Sequence, residues 1–500
     1  MRFRIHFFWF CSLLFAVVLG LDACRVDPEG STTPNAPPET HTVVDTIIRD
    51  SNQRFSSLVA LRWWGSDPDG VIRGFELRDQ ETGEWKFTAA TDSIVQIRIP
   101  EGETTYDYSF EVRAVDNDEA RDPSPARLVV PVKNSPPEMA VDLSGNEATR
   151  PTNTLPVLKY SLQASDLDGA SNLKHIELCF QDTARAPLII PPDVTTVTLV
   201  ALDARADSTD FQVLVGNAQD EASEPIVGAG LGQEVQLYAR SVDLTDTASA
   251  WAASSKVMVR KQSSRLLLIN DYPNGSLLKA KDQFYREQFG KALRSTSLDT
   301  IDLLHLSAYS AGGKLRRELP VDKQVLSRIF NLYDGIFWYA NNDTALLNIR
   351  STTGPFFDAG KKFFFVSAFG ITTEAREGSF DFTPIDSLYN LRANDTVNGL
   401  FLPPDSALAS SRNGYPPLVS SNFNNIRPIY ASIGEPLYEG QLIAEPNISE
   451  PWDGPSTLAV LERGNNGSLF GVCAIQLTNV NKNGRVSEFL ARLMDEEFGF

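Results

Sequence analysis

The sequence predicts two antiparallel β-sandwiches followed by a doubly wound α/β domain, and three observations carry that expectation. The first half alternates apolar and polar residues in short runs separated by Asp, Gly and Pro turns. Past residue 262 the period changes to buried strands interleaved with helical patterns. The chain has 500 residues, too many for one hydrophobic core. Apolar residues at 42% and charged residues at 22% are a globular balance, and the formal charge of -19 repels phosphate backbones, so nucleic acid is not an expected partner.

The first element is an address. Arg2 and Arg4 precede an apolar run from Phe7 to Leu21, short for a membrane span of roughly 17 to 25 residues and suited to a secretory signal over residues 1–23. The run ends in Leu-Asp-Ala-Cys at residues 21–24. This resembles the lipobox of bacterial lipoproteins, with Asp22 standing where that pattern has a small or hydroxyl residue. The resemblance implies that Cys24 is the lipidated residue and that the membrane, reached through an N-terminal lipid, is a partner. Residues 24–37 are rich in Pro, Thr and Ser with no apolar period, the composition of an extended tether. Arg25 follows the cysteine where an aspartate would resemble an inner-membrane retention signal, so the expected location is the cell envelope, anchored in the outer membrane. Cys179 and Cys473 fall in separate expected domains, so cores and not a disulfide are expected to supply stability.

Two copies of one β-unit follow, over 38–133 and 134–262. "LRWWGSDPDGVIRGFELR" at 61–78 matches "LKYSLQASDLDGASNLKHIELCF" at 158–180, and "YSFEVRAVDNDEA" at 108–120 matches "VQLYARSVDLTDTAS" at 235–249. "NSPP" at 134–137 closes the first copy, and the second carries an insertion of about 28 residues between its matched motifs. On these motifs both units resemble the fibronectin type III-like or immunoglobulin-like modules of bacterial surface proteins, with the Trp63–Trp64 strand supplying a core aromatic.

The acidic loops invite a metal reading. An EF-hand needs Gly at its sixth position and Glu at its twelfth, and the segment from Asp67 has neither. Asp67 and Asp69 meeting Asp116 and Asp118 at one end of the sandwich would offer a different calcium site. Asp-Pro and Asp-Gly also form turns unaided, and turn formation with no bound metal is the reading adopted.

The C-terminal part, 263–500, opens with "RLLLIND" as a buried strand. A helical pattern with Leu277, Leu278, Phe284, Tyr285, Phe289 and Leu293 on one face follows it. Then come "IDLLHL" (strand), "DKQVLSRIFNL" (helix), "YDGIFWYA" (strand), "TALLNIRSTTGPFFDAG" (one helix) and "KKFFFVSAFG" (strand), the alternation of a doubly wound sheet. "PIYASIG", "TLAVLERG" and "SLFGVCAIQL" read as later strands and "VSEFLARLMDEEFG" as the terminal helix. Through "LLLINDYP", "YDGIFWYANND", "DAGKKFFFVSAFG" and "GRVSEFLARLMDEEFG" the part resembles class I glutamine amidotransferase-like, flavodoxin-like domains. Active members of that class use a Gly-x-Cys-x-Gly elbow with a histidine and a glutamate. Here the strand reads "FVSAFG", Cys473 in "FGVCAIQL" lacks the second glycine, and His305 is the part's only histidine. Ser367 would need a base, and His305 on the second strand has no evident carboxylate to orient it, while His175 belongs to the second sandwich. No catalytic residue and no cofactor is therefore expected.

Binding has a better footing. Ligands of open α/β sheets collect at the carboxyl ends of strands, and those ends offer Asn270, Asp271 and Tyr272, then Asn341, Asn342 and Asp343, then Ser367, with Trp338 and Tyr339 as aromatic neighbours for a peptide or glycan. The same Asn and Asp residues also suit helix caps. The expected function is that of an exported, lipid-anchored envelope protein with a non-catalytic binding, adhesion or scaffolding role toward envelope proteins, peptide or glycan. A surface hydrolase using the C-terminal cleft is the alternative.

Overall fold

The computed structural model describes residues 34–46, 58–79, 83–97, 99–100, 103–145, 152–216, 220–221, 224–272, 276–295, 297–303, 310–311, 314–315, 322–341, 344–369, 380–389, 397–445 and 450–500. Most of its regular structure is strand, and helices are few. The chain divides into two compact units, Met1–Ser135 and Pro136–Phe500.

In the first unit, β1 (Glu39–Thr46), β2 (Leu58–Ser66) and β5 (Asp92–Gln96) form one antiparallel sheet in the order β1-β2-β5. The strands β3 (Ile72–Asp79), β4 (Lys86–Thr88), β6 (Thr105–Asp116) and β7 (Ala126–Lys133) form a second in the order β4-β3-β6-β7. Side chains alternate across each strand, so Val59, Leu61 and Trp63 of β2 meet Phe75, Phe110, Val112 and Val130 of the facing sheet in one core. That shared core makes the unit a β-sandwich. Trp63 is buried against Phe75 and Phe110 and donates its indole N–H to the Ala90 carbonyl at 2.8 Å. Trp64, pointing the other way, stacks on His41 at the surface.

The second unit opens with a sandwich of the same construction. Strands Glu138–Leu143, Val157–Ser165, Thr196–Ala201 and Ser208–Val215 lie in one antiparallel sheet, and Leu188–Ile190, Leu173–Phe180, Leu237–Asp243 and Ala252–Ala253 in the other. Leu158, Tyr160, Ile176, Leu178, Phe211 and Leu237 fill the space between them. Leu188–Ile190 and Thr196–Ala201 pair as β4 and β5 do in the first sandwich, so the additional strands are Ser208–Val215, Asp220–Glu221 and Ile226–Gly230, which widen one sheet.

The chain then builds a mixed sheet. Asp299–Asp302, Leu266–Asp271, Gly335–Ala340, Lys362–Ser367 and Leu469–Cys473 are neighbours in that order and all parallel. Beyond them Thr457–Arg463, Glu435–Gly440, Ala407–Ser410 and Leu418–Val419 continue the sheet antiparallel. Both faces of the parallel half are covered, which is why its strands are apolar at nearly every position. Leu266, Leu268, Phe337 and Phe364 pack under helix Ser276–Leu293 and the terminal helix Val486–Arg492. Leu267, Ile269, Trp338 and Phe363 pack under helices Lys323–Phe330, Thr344–Thr352 and Gly354–Asp358.

Two expectations are corrected here. The segment 344–358 is two helices, because Gly354 and Pro355 interrupt it and Pro355, lacking an N–H, sits in the first turn of the next helix. Strand–helix alternation also stops after Ser367. Among the described residues only strands and short turns follow until the 3₁₀ turn Leu477–Asn479 and the terminal helix. Residues 397–445 are punctuated by Pro, Gly, Asn and Ser at intervals too short for a helix and long enough for strands of a few residues.

The sandwich and the mixed sheet of the second unit share a core. Leu155 and Val157 are buried in the same apolar cluster as Val325, Trp338 and Phe363. Lys159 reaches Asp322, the N-cap of helix Lys323–Phe330, at 2.7 Å.

Candidate functional site

The register of the parallel strands brings their carboxyl ends level. Asp271 pairs with Ala340, Ala340 with Ser367, and Val366 with Cys473. At this edge Asn270, Asp271, Tyr272 and Ser367 are buried and Asn341 is exposed. The Asn270 side-chain oxygen accepts the Tyr272 N–H at 3.0 Å, which ends the strand in a tight turn. The Asp271 carboxylate accepts the Trp338 indole N–H at 3.3 Å, so the two expected site residues do meet. Asn342, Asp343 and His305 lie outside the described residues.

Two side chains that the sequence did not point to, Gln476 and Lys281, belong to this edge beside the expected Tyr339. Gln476 is buried and donates its amide to the Ala340 carbonyl. Lys281 donates to Thr478 and lies 5.9 Å from the Tyr272 ring. Burial holds its ammonium below the usual lysine range. Tyr339 stacks on Tyr285 at 4.1 Å and donates to Asp282 at 3.4 Å. The edge thus holds a buried carboxylate, an amide and an amine, with Trp338 packed on one face of the sheet and Tyr272 and Tyr339 on the other.

Nucleophilic chemistry is poorly served at the same edge. Ser367 is buried and its hydroxyl is directed at the neighbouring Ala368 carbonyl, 3.5 Å away. The Cys473 thiol donates to the Ile475 carbonyl at 3.3 Å, and burial pushes its pKa up to about 12, so at neutral pH it is a thiol and not a thiolate. The histidines among the described residues, His41 and His175, both lie in the sandwiches, His175 beside Glu177 at 3.4 Å.

The acidic loops form turns. The Asp67 carboxylate accepts the Asp69 N–H at 3.2 Å. Asp116 is buried, and one of its oxygens accepts the N–H groups of Asp118 at 2.9 Å and Ala120 at 2.8 Å. Burial raises the Asp116 carboxyl, but the Asn35 amide and the two N–H groups outweigh it and hold the carboxyl below its usual range. The second sandwich repeats the backbone bonds of this loop. Asp243 accepts from Thr245 N–H at 2.9 Å and Thr247 N–H at 2.8 Å. Glu119 and Asp246, at matching positions, are both left-handed, with φ of 64° and 63°. Among the described residues no group of three or more His, Cys, Asp or Glu side chains is placed to hold a metal ion.

A separate open groove of about 800 Å³ runs beside the terminal helix, lined by Arg294, Arg485, Glu488, Arg492 and Asp495 among others. Its charges are largely met internally, Arg485 by Glu488 at 2.8 Å and Arg492 by Glu496 at 2.6 Å.

No protein-family model matches the chain, and no curated protein is similar to it in sequence. Among solved structures, the chain is similar to the fibronectin(III)-like modules of Clostridium thermocellum CbhA, at 14% identity over 44% of this chain and 94% of that one, with a TM-score of 0.15. It is similar to the chicken interferon gamma receptor alpha chain at 13% identity over 45% and 98%, TM-score 0.20. A two-domain fibronectin type III segment of chicken tenascin matches at 11% identity over 45% and 100%, TM-score 0.21. At scores this low the β-sandwich description rests on the strand pairing above and not on these likenesses.

Proposed function

We propose that this is an exported, lipid-anchored cell-envelope protein in which two fibronectin type III-like sandwiches present a non-catalytic, amidotransferase-like α/β part for binding or scaffolding. Cys24 is the lipidated residue, and the tether of residues 24–37 ends docked on the first sandwich through Asn35 and Ala36. The parallel half of the mixed sheet, in the spatial order second-first-third-fourth-fifth along the chain with helices on both faces, supports the doubly wound reading of that part. The ligand seat is the carboxyl edge of the parallel strands, where Asn341 is exposed, and its occupant is a peptide or glycan.

The observation that carries binding over catalysis is the state of the two candidate nucleophiles. Ser367 and Cys473 are buried and turned to backbone carbonyls, and the thiol is protonated. A nucleophile without an adjacent base forms no covalent intermediate at a useful rate.

Two measurements test the proposal. Activity probes for serine and cysteine nucleophiles are expected to leave the native full chain unlabelled, and stoichiometric labelling at Ser367 or Cys473, lost on denaturation, would establish the hydrolase alternative. Metabolic labelling with a palmitate analogue is expected to mark the wild type and not Cys24→Ser, and equal labelling of both would remove the lipid anchor.

A further inference from the structure

The acidic end of the first sandwich is occupied by the chain itself. The Asn35 side-chain amide donates to the second oxygen of Asp116 at 2.6 Å, and the Ala36 N–H donates to Asp69 at 3.0 Å. Pro37 and Pro38 follow, with no N–H to offer and φ fixed by the ring, so the segment cannot join a ladder and its polar reach lies in Asn35 and Ala36. Pro38 is buried, and β1 then begins with Glu39 opposite Ser66. A third anchor crosses between the sheets, where the buried Thr40 hydroxyl oxygen accepts the Ala114 N–H from β6 at 2.7 Å. Asp69 and Asp116 come from two different loops, so the segment 35–38 ties both loops and both sheets to one point.

We propose that the Asp69 and Asp116 carboxylates serve as a clasp for the Asn-Ala-Pro-Pro segment, fixing where the N-terminal part of the chain leaves the first sandwich, and that this clasp takes the place of a bound cation. Both carboxylates receive donors of the kind that stabilise the charged form, and the Asn35 bond is charge-assisted with a buried acceptor. The motif is not confined to this site. Asn134-Ser135-Pro136-Pro137-Glu138, directly ahead of the second sandwich, repeats Asn35-Ala36-Pro37-Pro38-Glu39 with a single change of a small residue, Ala to Ser. The second sandwich also repeats the loop geometry of Asp116 at Asp243. The clasp does not depend on lipidation at Cys24.

The test is amide hydrogen exchange on the full chain, comparing the wild type with Asn35→Ala and Asn35→Asp, each with calcium and with a chelator. Loss of one charge-assisted bond should speed exchange at the Ala36 amide by about tenfold or more, and Asn35→Asp, which sets a second carboxylate against Asp116, should speed it further. Cleavage after Glu39 by a Glu-specific protease should rise in parallel, while exchange in β6 and β7 stays at the wild-type rate and calcium changes nothing. Unchanged exchange and cleavage in both variants would overturn the clasp. So would a slowing of exchange in the Asp67–Gly70 and Asp116–Ala120 loops on adding calcium, because the carboxylates would then be ligands for a cation.

Discussion

Trp63 and Trp64 are chemically the same residue one position apart, and the pleat of β2 gives them opposite lives. Trp63 is 1% exposed and Trp64 49% exposed. Trp63→Ala should destabilise the first sandwich by about 3–5 kcal/mol, through lost transfer energy and the cavity left between Phe75 and Phe110. Trp64→Ala should change it by no more than about 0.5 kcal/mol. Denaturant unfolding of the two variants, followed by fluorescence, checks the pair, and similar losses from both would mean the strand register is wrong by one residue. The sequence makes it certain that one of the two faces inward, and the run Val59, Leu61, Trp63 picks out which. Asp116 and Asp118 are harder to tell apart on the page, since both are aspartates in an acidic turn. Only the three-dimensional closure of the loop buries one of them and turns the other into a donor of its backbone N–H.

Helix Lys323–Phe330 shows what a single capping residue does for an element. The Asp322 side chain accepts the N–H groups of Gln324 at 2.8 Å and Val325 at 3.2 Å, and the same carboxylate holds Lys159 of the sandwich. Burial raises its carboxyl, and the Lys159 ammonium with the two N–H groups outweighs that and leaves it below the usual range. A carboxyl whose folded pKa is depressed contributes stability that is full above its unfolded value and is lost as pH falls through the folded one. Asp322→Asn keeps the cap and loses the ion pair. Asp322→Ala loses both, and should cost about 1 kcal/mol more than Asn at neutral pH. Thermal unfolding from pH 7 downward should show the gap between wild type and either variant constant to about pH 5 and shrinking below about pH 4. A gap that does not depend on pH would place the effect elsewhere. At this scale the sequence was most readable where period and cap agree, as in 322–330. It was least readable over 380–445, where strands of two to six residues pair with distant partners and leave no period long enough to recognise.

At the scale of the molecule, the change of period past residue 262 is a change of secondary structure and not a break in packing. Leu155 and Val157 lie in the core beneath Trp338 and Phe363, and Gln262 donates to the Leu332 carbonyl at 3.1 Å. Contacts between modules carry no periodic signature, which is why a composition boundary and a packing boundary can differ. A fragment of residues 136–500 should unfold in one cooperative transition, whereas 263–500, with the apolar contact of Leu155 and Val157 exposed, should melt at lower temperature and bind a hydrophobic dye. Equal midpoints for the two fragments would show that the shared core contributes nothing. One strand governs how such a sheet is assembled. Leu469–Cys473 sits between Lys362–Ser367 on one side and Thr457–Arg463 on the other, joining the parallel half to the antiparallel half. Until residues 469–473 take their place the two halves share no strand and each keeps an open edge, so the mixed sheet closes only after both halves have been made.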